Sequence, residues 1–109
     1  MDELDRGILD RNGYAPSIIQ SDTTFCYACG RATGKLDRHE AFFGSLRQKS
    51  KAYGLWVLLC HYPCHMGTDG YQYNAERARE LKARAQQCAM DTYGWTTEEF
   101  VSLFGKNYL

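Results

Sequence analysis

The alternation of apolar and polar positions divides this chain unevenly. Residues 1–22 are acidic and polar, with NGYAP at 12–16 as a turn signal and SIIQ at 17–20 as their apolar cluster, so they read as an N-terminal arm that is ordered only in part. KLDRHEAFF at 35–43 has the alternation and the aromatic end of a strand. LWVLL at 55–59 is a short apolar run of the buried-strand type. Between them, GSLRQKSKAYG is bracketed by glycines and has good helix formers at its centre, which predicts a basic loop carrying one helical turn.

The period changes from two to 3.6 further on. After a turn-rich MGTDGYQY, Asn74 is a good N-cap for a helix over AERARELKARAQQCAMDTY. Ala78, Leu81, Ala85, Cys88 and Ala89 recur at spacings of three and four and give it one apolar face, with mixed charges over the rest. Gly94 ends it. A second helix follows, in which Thr96 and Glu99 can form a capping box and Trp95 with Phe100 a hydrophobic staple, and Gly105 stops it. The predicted order is therefore arm, strand, basic loop, strand, turn, helix, helix, with residues 23–109 as one domain: 109 residues give room for one modest core and not for two.

Composition changes the picture in two places. The formal net charge is zero, so no global field draws the molecule to nucleic acid, but residues 31–53 hold Arg31, Lys35, Arg38, Arg47, Lys49 and Lys51 against Asp37 and Glu40, a local excess of four positive charges. Within it, Arg38, Arg47, Lys49 and Lys51 are the candidate phosphate contacts, set against the plainer reading of a solvated loop. No run approaches the ~18 apolar residues of a membrane span, and the acidic start MDELDRGILDRNG lacks the marks of a leader. A protein inside the cell, with no membrane partner, is the expectation.

The five cysteines are an odd number for a disulfide scaffold, and their placement points to metal. Cys26 and Cys29 form FCYACG, and Cys60 and Cys64 form a second pair with Pro63 bending the backbone between them. Two such turns aim four thiolates at one point, as structural Zn²⁺ requires. A redox pair of the thioredoxin kind would need a βαβ surround that is missing here. Cys88, alone in the first long helix, reads as a small buried hydrophobe. HExxH is absent, because Glu40 is followed by Ala41, Phe42 and Phe43, and a zincin protease is not supported.

The remaining polar residues at the knuckle and strand ends are His39, Glu40, His61 and His65. His39, Glu40 and His65 are candidates for a second, catalytic centre with a hard cation, Mg²⁺ or Mn²⁺, and a base beside it. Each has a plainer alternative. His39 and Glu40 could be a strand pair that packs or pairs with Arg38 or the loop lysines, and His65 a spare zinc ligand or a hydrogen-bonder of the knuckle. His61, inside the knuckle turn, reads as exposed.

These motifs together carry a resemblance. CxxCG, a His-containing dipeptide on a strand and then LC…CH resemble the zinc-knuckle version of the HNH (ββα-metal) nucleases. RHEAFFG, RQKS, YGLWVLLC and the ending EEFVSLFGKNYL are similar to small HNH-type nucleases encoded in bacteriophages and prophages. The resemblance runs from about Ser17 to Leu109. It implies an α+β fold, a zinc-clamped ββα core extended by C-terminal helices. Its zinc ligands fall on Cys26, Cys29, Cys60 and Cys64, its first active-site histidine on His39 and its closing histidine on His65. The usual adjacent pair is here His39–Glu40, so the base is His39 or Glu40 according to register. The pattern's Asn position holds Tyr53–Gly54, and Gln72 stands near the place of a further histidine.

What the resemblance implies is a divalent-metal-dependent DNA endonuclease in the cytoplasm of a bacterial host, acting with phage replication, recombination or packaging proteins. The competing expectation is a zinc-knuckle module that binds DNA or protein without cleaving it.

Overall fold

The computed structural model describes residues 9–109. Its centre is an antiparallel hairpin of β1 (Leu36–Glu40) and β2 (Trp56–Cys60), in register from Leu36 opposite Cys60 to Glu40 opposite Trp56. Both strands are shorter than the apolar runs that predicted them or shifted along them. β1 ends at Glu40, although the Ala41 N–H still donates to the Leu55 carbonyl at 2.9 Å, and Phe42 turns into the core; β2 extends to Cys60, which pairs with Leu36. The connection holds a 3₁₀ turn (Gly44–Leu46) that runs into α1 (Arg47–Ala52), more helix than the single turn expected. Buried Ser50 fastens it: its hydroxyl accepts from the Phe42 N–H at 3.2 Å and donates to the Leu55 carbonyl at 2.6 Å.

The C-terminal helices follow their predicted bounds closely. α2 spans Ala75–Tyr93, with the Asn74 side chain accepting from the Arg77 N–H, and Gly94 closes it in the left-handed conformation. α3 spans Thr97–Phe104 with the Thr96–Glu99 capping box formed in both directions. Trp95 lies against Tyr53 and Tyr93, at 5.0 and 4.9 Å between ring centres. The core joins the hairpin to these helices. Leu55, Val57 and Leu59 meet Leu81, Ala85 and Ala89, and Phe42, Phe100 and Phe104 form an aromatic cluster with ring centres 4.8–5.8 Å apart. Gln86 is fully buried on the apolar face of α2 and holds the C-terminal tail, donating to Asn107 Oδ1 and accepting from the Tyr108 N–H. Cys88 is half-buried against this core.

Residues 1–8 lie outside the described residues, but from Leu9 onward the segment joins the fold, with Tyr14, Ala15, Ile19 and Gln20 buried. Trp56 explains why: its indole N–H donates to the Ala15 carbonyl at 2.7 Å and its ring meets Tyr14 edge-on at 5.5 Å. Gln20 bridges β2 and the first cysteine turn, accepting from the Leu58 N–H and donating to the Phe25 carbonyl, both at 2.8 Å. The result is a small α+β domain with a two-stranded sheet. Among the described residues no helix is long and apolar enough to cross a membrane.

Candidate metal centres and the groove beside them

Cys26 and Cys29 sit on one turn, closed by the Gly30 N–H donating to the Cys26 carbonyl. Cys60 ends β2, and Cys64 follows in the turn His61–His65, whose Tyr62–Pro63 peptide is cis. The hairpin register brings the two pairs together, so that all four sulfurs lie within 4.8 Å of one another, with Cys29 and Cys60 3.9 Å apart. A tetrahedral zinc with sulfur bonds of ~2.3 Å has edges of ~3.8 Å, so the spacing fits that ion. The thiol chemistry fits it too. Burial works to raise Cys26, yet hydrogen bonding with the backbone at Cys60, Cys29 and Ala28 outweighs it and brings that thiol down to about 7. Cys64 is pushed far up by burial and by the three other thiols beside it. Crowding of this kind opposes a second thiolate until a cation balances the charge. Four cysteines that could hold a zinc ion are thus placed where the sequence puts them.

The same turn carries a second group. Cys60 and Cys64 point to the sulfur centre, and the histidine after each one turns to β1, where Asp37 Oδ2 lies 2.7 Å from His61 Nδ1 and 2.8 Å from His65 Nδ1. Burial by itself would raise the Asp37 carboxyl, but the hydrogen bonds from His65 and His61 hold it below its ordinary value. The three ligating atoms lie within 4.8 Å of one another and could hold a metal ion. The next loop wraps this turn tightly: Gly67 and Gly70 leave no room for a side chain, since a Cβ on either would stand 2.4–2.6 Å from the Pro63 carbonyl.

Of the expected catalytic residues, the structure brings His39 and His65 together, and Glu40 lines the same depression with its carboxylate engaged elsewhere. His39, two residues from Asp37 and so on the same face of β1, is buried, with its ring centre 5.1 Å from that of His65. Burial, and then the neighbouring His65, lower it to about 4, so it is a neutral imidazole at pH 7. Glu40 has both carboxylate oxygens engaged, one accepting from the Tyr14 hydroxyl and the other paired with Arg47 Nε at 2.9 Å. The Tyr14 phenol is in turn raised to about 12, by burial first and by Glu40 second. Neither Asp37 nor His61 was singled out from the sequence for this group; the signal was the repeat of Cys-His at a spacing of four.

An open groove of about 660 Å³ runs past this group. Asp37, His61 and His65 line it together with Lys35, Arg38, Arg47 and Lys51. Lys49 is elsewhere, donating to the Leu103 carbonyl at 2.9 Å, because it lies two residues from Arg47 on α1 and faces the opposite way. Arg38 stacks over Tyr14 at 4.4 Å and pairs with Asp10 at 2.6 Å; Lys51 sits 4.7 Å above the Tyr14 ring. Compared with family models, curated proteins and solved structures, the chain finds no match.

Proposed function

We propose that the protein is a divalent-metal-dependent endonuclease with an HNH-like (ββα-metal) core, hydrolysing phosphodiester bonds in DNA in the setting of phage replication, recombination or packaging. The observation that carries this reading is the Asp37–His61–His65 group in a groove lined by Lys35, Arg38, Arg47 and Lys51. The four basic side chains suit a phosphate backbone. Asp37, His61 and His65 would hold the cation, and two imidazoles beside one carboxylate suit Mn²⁺ better than Mg²⁺. Such a cation stabilises charge on the scissile phosphate and the leaving oxygen. His39 is the neutral side chain beside His65 and would be the group to accept a proton from the attacking water. Glu40, tied to Tyr14 and Arg47, fixes the end of β1 against α1 and the N-terminal segment. The cysteine-held zinc would clamp the hairpin ends on which Asp37, His61 and His65 depend.

The test is supercoiled plasmid incubated with the zinc-loaded protein, with and without Mn²⁺ or Mg²⁺. Nicking or linearisation that needs the added cation is expected, and His39→Ala or Asp37→Asn should lower it by at least about 10²-fold with the cysteine zinc retained. Glu40→Gln should act through stability, with no rescue by extra metal. One observation favours a second reading, a zinc-knuckle module that binds without cleaving: Asp37, His61 and His65 satisfy one another by hydrogen bonds as they stand. Binding of DNA with no cation-dependent cleavage by the unmodified protein would establish that alternative and overturn the nuclease.

A further inference from the structure

The groove does not end at the histidines. Arg38, Arg47 and His65 also line a second depression that holds His39 and Glu40, the latter's carboxylate taken up by Arg47 and Tyr14, and this one shares Phe43 and Gln72 with a third, of about 410 Å³. The three form one path across the molecule. Its two ends differ in chemistry. The near end offers Lys35, Arg38, Arg47 and Lys51 beside Asp37 and its histidines, and the ring of Tyr14 there is buried beneath Arg38 and Lys51. The far end adds rings: Phe43 and Tyr73, 47% and 63% exposed, stand in it with Arg79, Lys82 and Lys106, and no acidic side chain lines it. Lys82 lies 5.0 Å above Phe43, and Lys106 5.5 Å above Tyr108, so the cations are held at the rings.

Exposed rings among cations are what unpaired bases bind, since every base has a face that can stack and a backbone that the cations can follow. A duplex keeps those faces inside its own stack. We propose that this path takes a single strand, with its phosphates along Lys35, Arg38 and Arg47 and its bases stacked on Phe43 and Tyr73, so that the substrate is nucleic acid with an unpaired segment on one side of the histidines. This rests on the nucleic-acid reading of the groove, but not on cleavage. A solvated helix face would explain Arg79 and Lys82. It does not explain two large rings left open at the end of a basic path.

The experiment measures fluorescence anisotropy of a labelled oligothymidylate and of a blunt duplex of equal length, with the zinc-loaded full chain and no added Mn²⁺ or Mg²⁺. The single strand should bind more tightly than the duplex. Phe43→Ala and Tyr73→Ala should each weaken single-strand binding about 5- to 100-fold while changing duplex binding little. Both side chains are exposed, so the variants should keep their fold, and Phe43→Trp should restore the affinity. Tyr62→Ala, an exposed ring away from the path, should change nothing. Equal or tighter duplex binding, or single-strand binding indifferent to Phe43 and Tyr73, overturns the proposal. Tight single-strand binding without cleavage under Mn²⁺ would sink the nuclease alone, and duplex cleavage indifferent to the two rings would sink this proposal alone.

Discussion

The two ends of the molecule are held together by different physics. Around the cysteines, Cys26 is the one buried residue between Ser21 and Lys35, and from His61 to Asn74 the buried positions are Gly67 and Gly70. At the helical end, Leu81, Ala85, Ala89, Phe100 and Phe104 are buried together and the helices have completed caps. Apolar burial at ~25 cal/mol per Å² therefore sustains one end and can do little for the other. The difference teaches what a zinc held by the four cysteines would do: it would make up for apolar burial that is sparse at that end.

The sharpest way to break this comparison is to take the metal away. Structural zinc contributes ~10–16 kcal/mol in small zinc modules, as much as a whole domain's stability of ~5–15 kcal/mol. Purified protein should carry one tightly held zinc by elemental analysis, and stripping it should abolish cooperative unfolding followed by circular dichroism. Cys26→Ser or Cys60→Ser should give insoluble protein, whereas Cys88→Ala should be mild. Zinc-free protein with an unchanged melting curve would show that the knuckle end does not need the ion.

A smaller effect is expected from the opposite end. Phe104→Ala removes a ring that touches Phe42, Phe100 and Tyr53, and should cost about 3–5 kcal/mol in denaturant unfolding with the zinc content unchanged. If zinc were lost together with that stability, the two ends would not be separately supported.

The smallest effect concerns pH and belongs to the hairpin end. The Tyr14 phenol ionises at about 12 in the folded protein against 10 in its ordinary state, so folding favours the protonated form. Its contribution is present in full below pH 10 and is lost as pH rises from 10 through 12. Absorbance titration of wild type minus Tyr14→Phe should isolate one phenol near 12, and the wild type should lose more stability than the variant across that window. A difference titration centred at 10 would remove Tyr14–Glu40 from the account.

How much of this could be read beforehand follows from the kind of signal each residue gives. The cysteine pairs and the caps at Asn74 and Thr96 are local in sequence, and they lie where the spacing put them. Asp37 gives no sequence sign of partnering the histidines, because an acid between Leu36 and Arg38 looks like an ordinary outward strand position. Its role depends on the register that sets the turn after Cys60 beside it. Helical spacing separates Lys49 from Arg47 and Lys51, but only over the full length of α1 and not over one turn. Gln86 breaks the apolar period of its helix and Gln20 lies in an irregular segment with no period, so each is understood only through the backbone groups it bonds. The burial of Tyr14 and Ala15 gives no local signal either, because it depends on Trp56, some forty residues away.

Gly67 and Gly70 show how far a site extends beyond its functional groups. Neither can donate, accept or ligate through a side chain, yet the loop that contains them lies directly on Pro63, Cys64 and His65, and any larger residue there would collide with that backbone. Displacing the turn would move the sulfurs of one centre and the imidazoles of the other in a single step. A relative or a designed variant that kept every cysteine, histidine and aspartate but filled these two positions would therefore retain the whole list of ligands and lose both places where they meet.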